Sequence, residues 1–233
     1  MPLSTEMPAP VRTAMDDASE IQLRTCCTML HYPTGDMDIR RVTRSLNCAM
    51  VEEAYRRGVF PMAEPELGII TWHRPRQRAI LPLDEFHLSK SLARTLRLAR
   101  FDVTYDRAFD AVMAACAERE PTWISAEFRA VYGEMHAAGK AHSVEVWADG
   151  KLAGGLYGVH LGAAFFAESK FHRVTDMSKV ALAKLVERLR ERRFALLEVQ
   201  YLTPHLAQFG VVEVANREYL RMLDEALKVE CGF

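Results

Sequence analysis

The chain has 233 residues, of which 49% are hydrophobic and 26% charged, and its formal net charge at pH 7 is -1. This composition is ordinary for a soluble globular protein with one large or two small domains, and the charge neither favours nor excludes a nucleic-acid partner. No stretch approaches the ~20 consecutive apolar residues of a membrane span, and the first twenty residues lack the apolar core of a signal peptide. We therefore expect a cytoplasmic protein with a flexible N-terminal tail.

Cysteine and histidine spacing disfavours metal sites and disulfides. The five cysteines, Cys26, Cys27, Cys48, Cys116 and Cys231, are odd in number and form no CxxC motif. The histidines are scattered, with no HExxH pattern. Neither GxGxxG nor the phosphate-binding GxxxxGK[ST] loop occurs in the chain. We expect no metal, and thiols that stay reduced in a cytoplasm.

The first part of the chain alternates helices with short strands and loops. Helices are predicted at 47–57, 87–100, 108–119 and 126–139. Short strands are predicted at 69–73, 79–83 and 101–106. Residues 58–62 read as a turn and 74–78 as a basic loop.

The second part reads as an antiparallel meander followed by a helix, a buried strand and a last helix. Three strands are predicted within 141–171, joined by turns at 149–150 and 160–162. The helices are predicted at 177–193 and 217–228, and the buried strand at 194–202. This order predicts an α+β fold with a mostly antiparallel sheet, as in acyltransferase-like (GNAT) domains. The turn before Ser178 has no glycine, which disfavours the backbone cradle that binds acetyl-CoA, so no cofactor is expected.

Two strands carry carboxylates beside a second polar residue. Strand alternation predicts that Glu168 and Lys170 share one face, and that Glu198 and Gln200 share one face of the later strand. A carboxylate on a mostly apolar sheet needs a partner or a chemical task. A buried salt bridge, a solvated edge and a catalytic site all stay open at this point.

Two clusters of basic residues and two tryptophans beside loops make a nucleic-acid contact plausible. The first cluster comprises Arg74, Arg76, Arg78, Lys90, Arg94, Arg97 and Arg100. The second comprises Arg188, Arg190, Arg192 and Arg193. Trp72 and Trp123 could stack on a base, although for each tryptophan a place in the core is the common alternative.

Several strings occur together and in one order: AYRRGVFPM (54–62), Thr122–Trp123, AHSVEVW (141–147), GGLYGV (154–159), ESKF (168–171) before DMSKVAL, and EVQYLTPHLAQFG (198–210). With them, residues from roughly 53 to 223 resemble the bacterial leucyl/phenylalanyl-tRNA–protein transferase family. The resemblance implies transfer of leucine, and also phenylalanine or methionine, from aminoacyl-tRNA to the N-terminal Arg or Lys of acceptor proteins, which marks them for degradation. It also implies a small N-terminal domain (1–85), a GNAT-like domain (86–233), a monomer, and neither CoA nor metal.

The resemblance implies roles for individual residues. Glu198 and Gln200 are the implied catalytic pair, and Glu168 lies near the acceptor and the aminoacyl-adenosine. Trp72 and Trp123 correspond to tryptophans around the terminal adenosine of the tRNA. Further implied substrate contacts are Leu156, Phe165, Lys170, Ser178 and Leu197. Contacts to the acceptor stem are implied for Arg74, Arg76, Arg78, Arg94, Arg97, Arg188 and Arg192.

Four departures from the family pattern bear on specificity. The family usually has Asp at Glu198, Met at Lys170 and Gly at Ala167, and a GGDLSP-like string before Asn47 that this chain lacks. Lys170 either pairs with one of the two glutamates or alters the donor pocket. Two alternatives therefore stand beside the family function: altered donor or acceptor specificity, and a non-catalytic relative that binds tRNA or peptide. CoA-dependent acetyl transfer is disfavoured.

Overall fold

The computed structural model describes residues 39–118 and 122–233. The predicted tail, the Cys26–Cys27 pair and the end of the predicted helix 108–119 lie outside the described residues. The described part contains two β-sheets with helices packed against them.

All six predicted helices are present, with ends shifted by a few residues, and a short seventh was not predicted. They are α1 (Cys48–Arg56), α2 (Lys90–Leu98), α3 (Phe109–Ala117), α4 (Ala126–Ala137), α5 (Met177–Glu191), α6 (Pro204–Ala207) and α7 (Asn216–Leu227). Side-chain oxygens cap several helix starts, as at Asn47, where Oδ1 accepts a hydrogen bond from the Met50 amide at 2.9 Å. Among the described helices, none is long and apolar enough to cross a membrane.

The smaller sheet is antiparallel and has the order β1-β3-β2. Its strands are β1 (Ile39–Thr43), β2 (Phe60–Glu64) and β3 (Ile69–His73). The predicted turn at 58–62 is wrong, because residues from Phe60 onward form β2. Pro61 is tolerated there because β2 is an edge strand that pairs only with β3, so no second strand needs its missing N–H.

The larger sheet has seven strands in the order β10-β4-β9-β8-β7-β6-β5. Its strands are β4 (Gln77–Ile80), β5 (Asp102–Tyr105), β6 (Ala141–Ala148), β7 (Lys151–Leu161), β8 (Ala164–His172), β9 (Leu196–Gln200) and β10 (Val212–Ala215). Within this sheet only the β8–β9 pair is parallel, with α5 as its connection. The predicted α+β class, with a meander, a helix and a further strand, is confirmed. The predicted boundary at 85/86 stays a prediction, although β4 already pairs in this larger sheet.

A β-bulge in β8 overturns the predicted pairing of side-chain faces. Ala167 pairs with Gly158 and Ser169 with Tyr157, so Glu168 is the extra residue between two paired positions. The bulge reverses the alternation after Glu168. Lys170 consequently pairs with Leu156, a residue of the core beneath α5. The prediction that Glu168 and Lys170 share a face is wrong, because period-two counting holds only for a regular strand.

The core lies between the larger sheet and α5. Val180, Leu185 and Leu189 of α5 are fully buried against strand residues such as Phe165 and Leu197. The helix stripe predicted from the sequence is thus the inner face of α5. This packing fixes the positions of β8 and β9, the two strands that carry both candidate glutamates.

Replacing Gly158 by alanine should destabilise the fold by about 1–3 kcal/mol, because its Cβ would lie 2.3 Å from the Phe166 carbonyl oxygen beside the bulge. Urea unfolding measures the change. Gly133→Ala is the matched control, since nothing lies within 4 Å of a Cβ there and alanine favours a helix interior by about 1 kcal/mol. Equal stability of the two variants would contradict the predicted clash.

Candidate active site

Glu168 is at the centre of a buried cluster built from four elements. Its Oε1 accepts a hydrogen bond from the Tyr55 hydroxyl of α1 at 2.5 Å, and the Tyr55 and Tyr132 hydroxyls lie 2.9 Å apart. The Gln200 amide nitrogen of β9 lies 3.2 Å from both carboxyl oxygens. The cluster therefore joins α1, α4, β8 and β9 around one carboxyl group.

Burial raises the pKa of Glu168 to about 8. Repulsion from Glu198 acts in the same direction, whereas the hydrogen bonds from Tyr55 and Gln200 oppose the rise. Near neutral pH this carboxyl group therefore holds a proton that it can exchange. A buried group that titrates near neutral pH is suited to acid–base chemistry, or to binding a cation that would displace the proton.

Glu198 lies in a second cluster and is already paired. Its Oε1 accepts hydrogen bonds from Nε (3.0 Å) and Nη2 of Arg78, and its Oε2 accepts one from the Tyr219 hydroxyl at 3.1 Å. Arg78 also donates from Nη1 to the Gly58 carbonyl at 2.5 Å, and its guanidinium carbon lies 4.1 Å from the Tyr219 ring centre. For Glu198 the structure therefore favours the buried salt bridge among the alternatives that the sequence left open.

Arg78 was predicted to contact tRNA, and its position contradicts that role. Only 1% of the residue is exposed, so its guanidinium cannot reach a phosphate on the surface. Strand β4 turns Arg78 inward towards Glu198. The sequence analysis grouped Arg78 with Arg74 and Arg76 because it predicted a loop at 74–78. In a loop no alternation of inward and outward side chains is expected.

Gln200 is held in an unusual backbone conformation. Its φ is +65°, and the Tyr201 amide donates to the Val199 carbonyl at 2.9 Å across it, which makes a γ-turn at the end of β9. A non-glycine residue with positive φ costs on the order of 1 kcal/mol. The turn ends the strand with the Gln200 amide directed at Glu168, and strain of this kind is typical of functional positions.

β8 and β9 separate next to the site and leave a cavity between them. Their pairing ends at Phe166 and Glu198, beyond which a cavity of about 90 Å³ opens. Its lining comprises Leu156, Ala167, Glu168, Ser169, Lys170, Leu182, Val199 and Leu206. The Glu168–Gln200 hydrogen bonds cross the gap between the two strands. The cavity is thus adjacent to the carboxyl cluster.

Lys170 borders this cavity without forming the predicted ion pair. Among the described residues its ammonium nitrogen has no hydrogen-bond partner, and the Phe209 ring centre lies 5.8 Å away. Burial, followed by the charge of Lys179, lowers the pKa of Lys170 to about 8. The structure thus excludes an ion pair of Lys170 with Glu168 or Glu198 and leaves the other alternative, in which Lys170 alters the donor pocket.

The other predicted substrate contacts divide into lining and core positions. Leu156 lines the cavity, whereas Phe165 and Leu197 pair across β8 and β9 inside the core. Ser178 is buried at the start of α5, with its Oγ 3.4 Å from Nδ1 of His172. The structure brings Leu156 to the cavity and holds Phe165 and Leu197 behind it.

Both predicted stacking tryptophans are buried, with 3% of each exposed. The Trp72 indole donates to the Thr43 hydroxyl at 3.0 Å, and Trp123 packs edge-on against Phe128. Trp72 also forms part of the wall of a cavity of about 550 Å³ that Arg74 lines as well. Trp123 is therefore a core residue, which is the alternative that the sequence left open. Trp72 is buried as well and also forms part of a cavity wall.

The basic clusters lie partly on the surface. Arg76, Arg94, Arg97 and Arg192 are exposed. Arg74 is half-buried and donates to the Arg57 carbonyl, and Arg188 lies over the Tyr105 ring at 4.7 Å. Because α2 packs against α5, the helix that carries Arg94 and Arg97 neighbours the helix that ends just before Arg192.

Sequence reasoning missed the three buried tyrosines around the two carboxyl groups. At most 1% of each residue is exposed, and each hydroxyl group is hydrogen-bonded to another hydroxyl or to a carboxyl group. These residues are Tyr55, Tyr132 and Tyr219. The sequence feature that could have identified them is their position on the inward face of each helix. A buried phenol needs a hydrogen-bond partner, so an inward tyrosine indicates a polar group nearby.

Comparison with known proteins gives consistent matches along the chain. The model of the leucyl/phenylalanyl-tRNA protein transferase family matches residues 80–224, and the model of its N-terminal domain matches 44–76. An aminoglycoside acetyltransferase from a soil metagenomic sample shares 16% identity with a TM-score of 0.36, covering 47% of this chain and 88% of that one.

Relatives that carry the name of this family share about half of their aligned residues with this chain. A leucyl/phenylalanyl-tRNA–protein transferase from Herpetosiphon aurantiacus is 49% identical over 82% of this chain and 100% of its own length. One from Gloeobacter violaceus is 50% identical over 81% of this chain and 98% of its own length. This chain belongs to the leucyl/phenylalanyl-tRNA–protein transferase family of aminoacyltransferases.

Proposed function

We propose that this protein transfers an amino acid, leucine above all and also phenylalanine or methionine, from aminoacyl-tRNA to the N-terminal Arg or Lys of acceptor proteins. Family membership supports the reaction class. The observation that carries the proposal is the buried Glu168 carboxyl group beside a cavity between two separated strands. We place the reaction in the cytoplasm, with a monomer as the active form.

The reaction needs positioning and proton transfer more than a covalent nucleophile. The α-amine of the acceptor attacks the ester carbonyl of the aminoacyl-tRNA, so a C–N bond forms and the bond to the ribose oxygen breaks. The attacking nitrogen loses one proton and the ribose oxygen gains one. An ester is already activated, so holding the two reactants together supplies much of the rate.

In this proposal Glu168 is the acidic group that meets the acceptor. A cationic Arg or Lys side chain beside Glu168 would stabilise the carboxylate and release its proton. The carboxylate would then accept the proton of the attacking amine, while Gln200 orients it. Glu198 has both oxygens occupied by Arg78 and Tyr219, so we assign it a positioning role instead of the catalytic role expected from the family pattern.

The tRNA and the donor side chain occupy neighbouring regions in this proposal. The cavity between β8 and β9 receives the donor side chain, with Leu156 and Val199 as apolar walls. The exposed arginines Arg94, Arg97 and Arg192 hold phosphates of the acceptor stem without reading sequence.

Transfer of labelled leucine from charged tRNA to an Arg-starting peptide tests the function. We expect product with the Arg peptide and none with an Asp-starting peptide of otherwise equal sequence. Saturable binding of charged tRNA with no product from any donor would overturn the proposal and favour a non-catalytic relative.

A further inference from the structure

Lys170 is a charged group that the fold buries without a partner. Its ammonium nitrogen is shielded from solvent and forms no hydrogen bond with the described residues. A buried donor without an acceptor costs about 1–3 kcal/mol, and more when it is charged. A ligand that supplies the missing acceptor would remove this cost.

The neighbourhood of Lys170 is positively charged. Burial, and then the charges of Lys170, Lys179 and His172, lower the pKa of His205. In this group Asp176 pairs with Lys179 at 2.8 Å. Glu168, the extra residue of the bulge, also lines the cavity, but burial raises its pKa to about 8, so its carboxyl group is largely neutral near pH 7. The cavity at Lys170 therefore favours an anion or an oxygen acceptor.

The cavity at Lys170 has room for the end of a side chain. Its volume is about 90 Å³, several times the ~10–15 Å³ that one water molecule requires. A carboxylate or a carboxamide on a short stem is of this size. Leu156, Leu182 and Leu206 complete the lining with apolar surface, which suits the methylene groups of such a stem.

We infer that Lys170 is a specificity residue that admits, beside leucine, donor amino acids whose side chain ends in a carboxylate or amide oxygen, to which its ammonium group donates. This inference rests on the proposed function, since it takes the cavity as the donor pocket. Leucine fills the same apolar walls but leaves the ammonium group without an acceptor. Lys170 thus extends the donor range from leucine to glutamate and glutamine.

The test is a donor panel on a single tRNA body charged in turn with leucine, methionine, glutamine or glutamate, so that only the side chain differs. The readout is kcat/KM for product formation with one Arg-starting peptide. Lys170→Met should lower the glutamate-to-leucine ratio of kcat/KM by about 10- to 100-fold, the value of a charge-assisted hydrogen bond. Lys151→Met, at an exposed position of β7, is the matched control and should leave the ratio unchanged.

A second variant separates charge from hydrogen bonding. Lys170→Gln keeps a donor but removes the charge, so it should retain the glutamine-to-leucine ratio better than the glutamate-to-leucine ratio. Product formation with ratios that stay within twofold in both variants would overturn this inference and leave the proposed function intact. Absence of product from every donor with the wild-type protein would overturn the proposed function, and this inference with it.

Discussion

Replacing Arg78 by methionine is expected to lower the free energy of unfolding by about 3–5 kcal/mol, because it leaves the Glu198 carboxylate buried without its cation. Both side chains are 1% exposed, so water cannot replace the guanidinium. Urea unfolding followed by circular dichroism measures the change. Exposed Arg97 on α2 gives the control, since Arg97→Met should change stability by no more than about 0.5 kcal/mol.

A double variant identifies the cause of that loss. Arg78→Met combined with Glu198→Leu removes both charges, so it should recover most of the stability lost in the single variant. The Tyr219 hydroxyl then loses its acceptor, which limits the recovery by about 1 kcal/mol. If the double variant is as unstable as Arg78→Met alone, the loss comes from packing around the guanidinium and not from the unpaired carboxylate.

The two glutamates on neighbouring strands are in different electrostatic states because of what each faces. Glu198 has an arginine partner and a tyrosine donor, which satisfy both of its oxygens. Glu168 has neutral partners, and burial raises its pKa to about 8. Arg78 is bonded directly to Glu198, whereas at Glu168 its charge only partly opposes the rise in pKa that burial causes. Two carboxyl groups with environments this different are suited to different tasks.

Periodicity predicted the regular elements and failed where the chain departs from regularity. The meander, α5 and β9 follow from alternation and from the helical stripe, because they bury one face against a common core. The bulge at Glu168 inserts one residue, and nothing in the string ESKF marks that insertion. As a result Lys170 was assigned to the wrong face, and the γ-turn at Gln200 was not expected.

Long-range partners account for the rest of the site. The pairing of Arg78 with Glu198 joins residues 120 positions apart, and Tyr55 is 113 positions from Glu168. Local patterns carry no information on which distant side chains meet. The sequence singled out Glu168 and Glu198 as carboxylates on a mostly apolar sheet, whereas their burial and the difference between them depend on these distant partners.

Replacing Glu168 by glutamine should lower kcat/KM for transfer to an Arg-starting peptide by about 10²- to 10⁴-fold, the usual contribution of a positioned acid–base group. The pH profile provides a signature that a structural role would not give. In the wild type, both Glu168 and the peptide α-amine, with a pKa near 8, must lose a proton. The logarithm of kcat/KM should therefore rise with a slope approaching 2 below about pH 7, whereas Glu168→Gln should show a slope of 1.

Stability separates this loss of activity from unfolding. The pKa of Glu168 is raised from 4.5 to about 8 in the folded state, so the folded protein binds more protons than the unfolded chain between these values. The group therefore destabilises the fold increasingly as the pH rises from 4.5 to 8. Glu168→Gln should be more stable than the wild type by about 4 kcal/mol at pH 8 and nearly equal at pH 4.

An exposed carboxylate provides the comparison for both measurements. Glu213 lies exposed on β10, and Glu213→Gln should change neither the slope of the pH profile nor the dependence of stability on pH. A Glu168→Gln variant that transfers leucine at the wild-type rate would remove Glu168 from the proton transfer. If Glu168→Gln is inactive and also less stable than the wild type at pH 8, the carboxyl group has a structural role. Removal of a buried charge that destabilises the fold should instead raise stability at this pH.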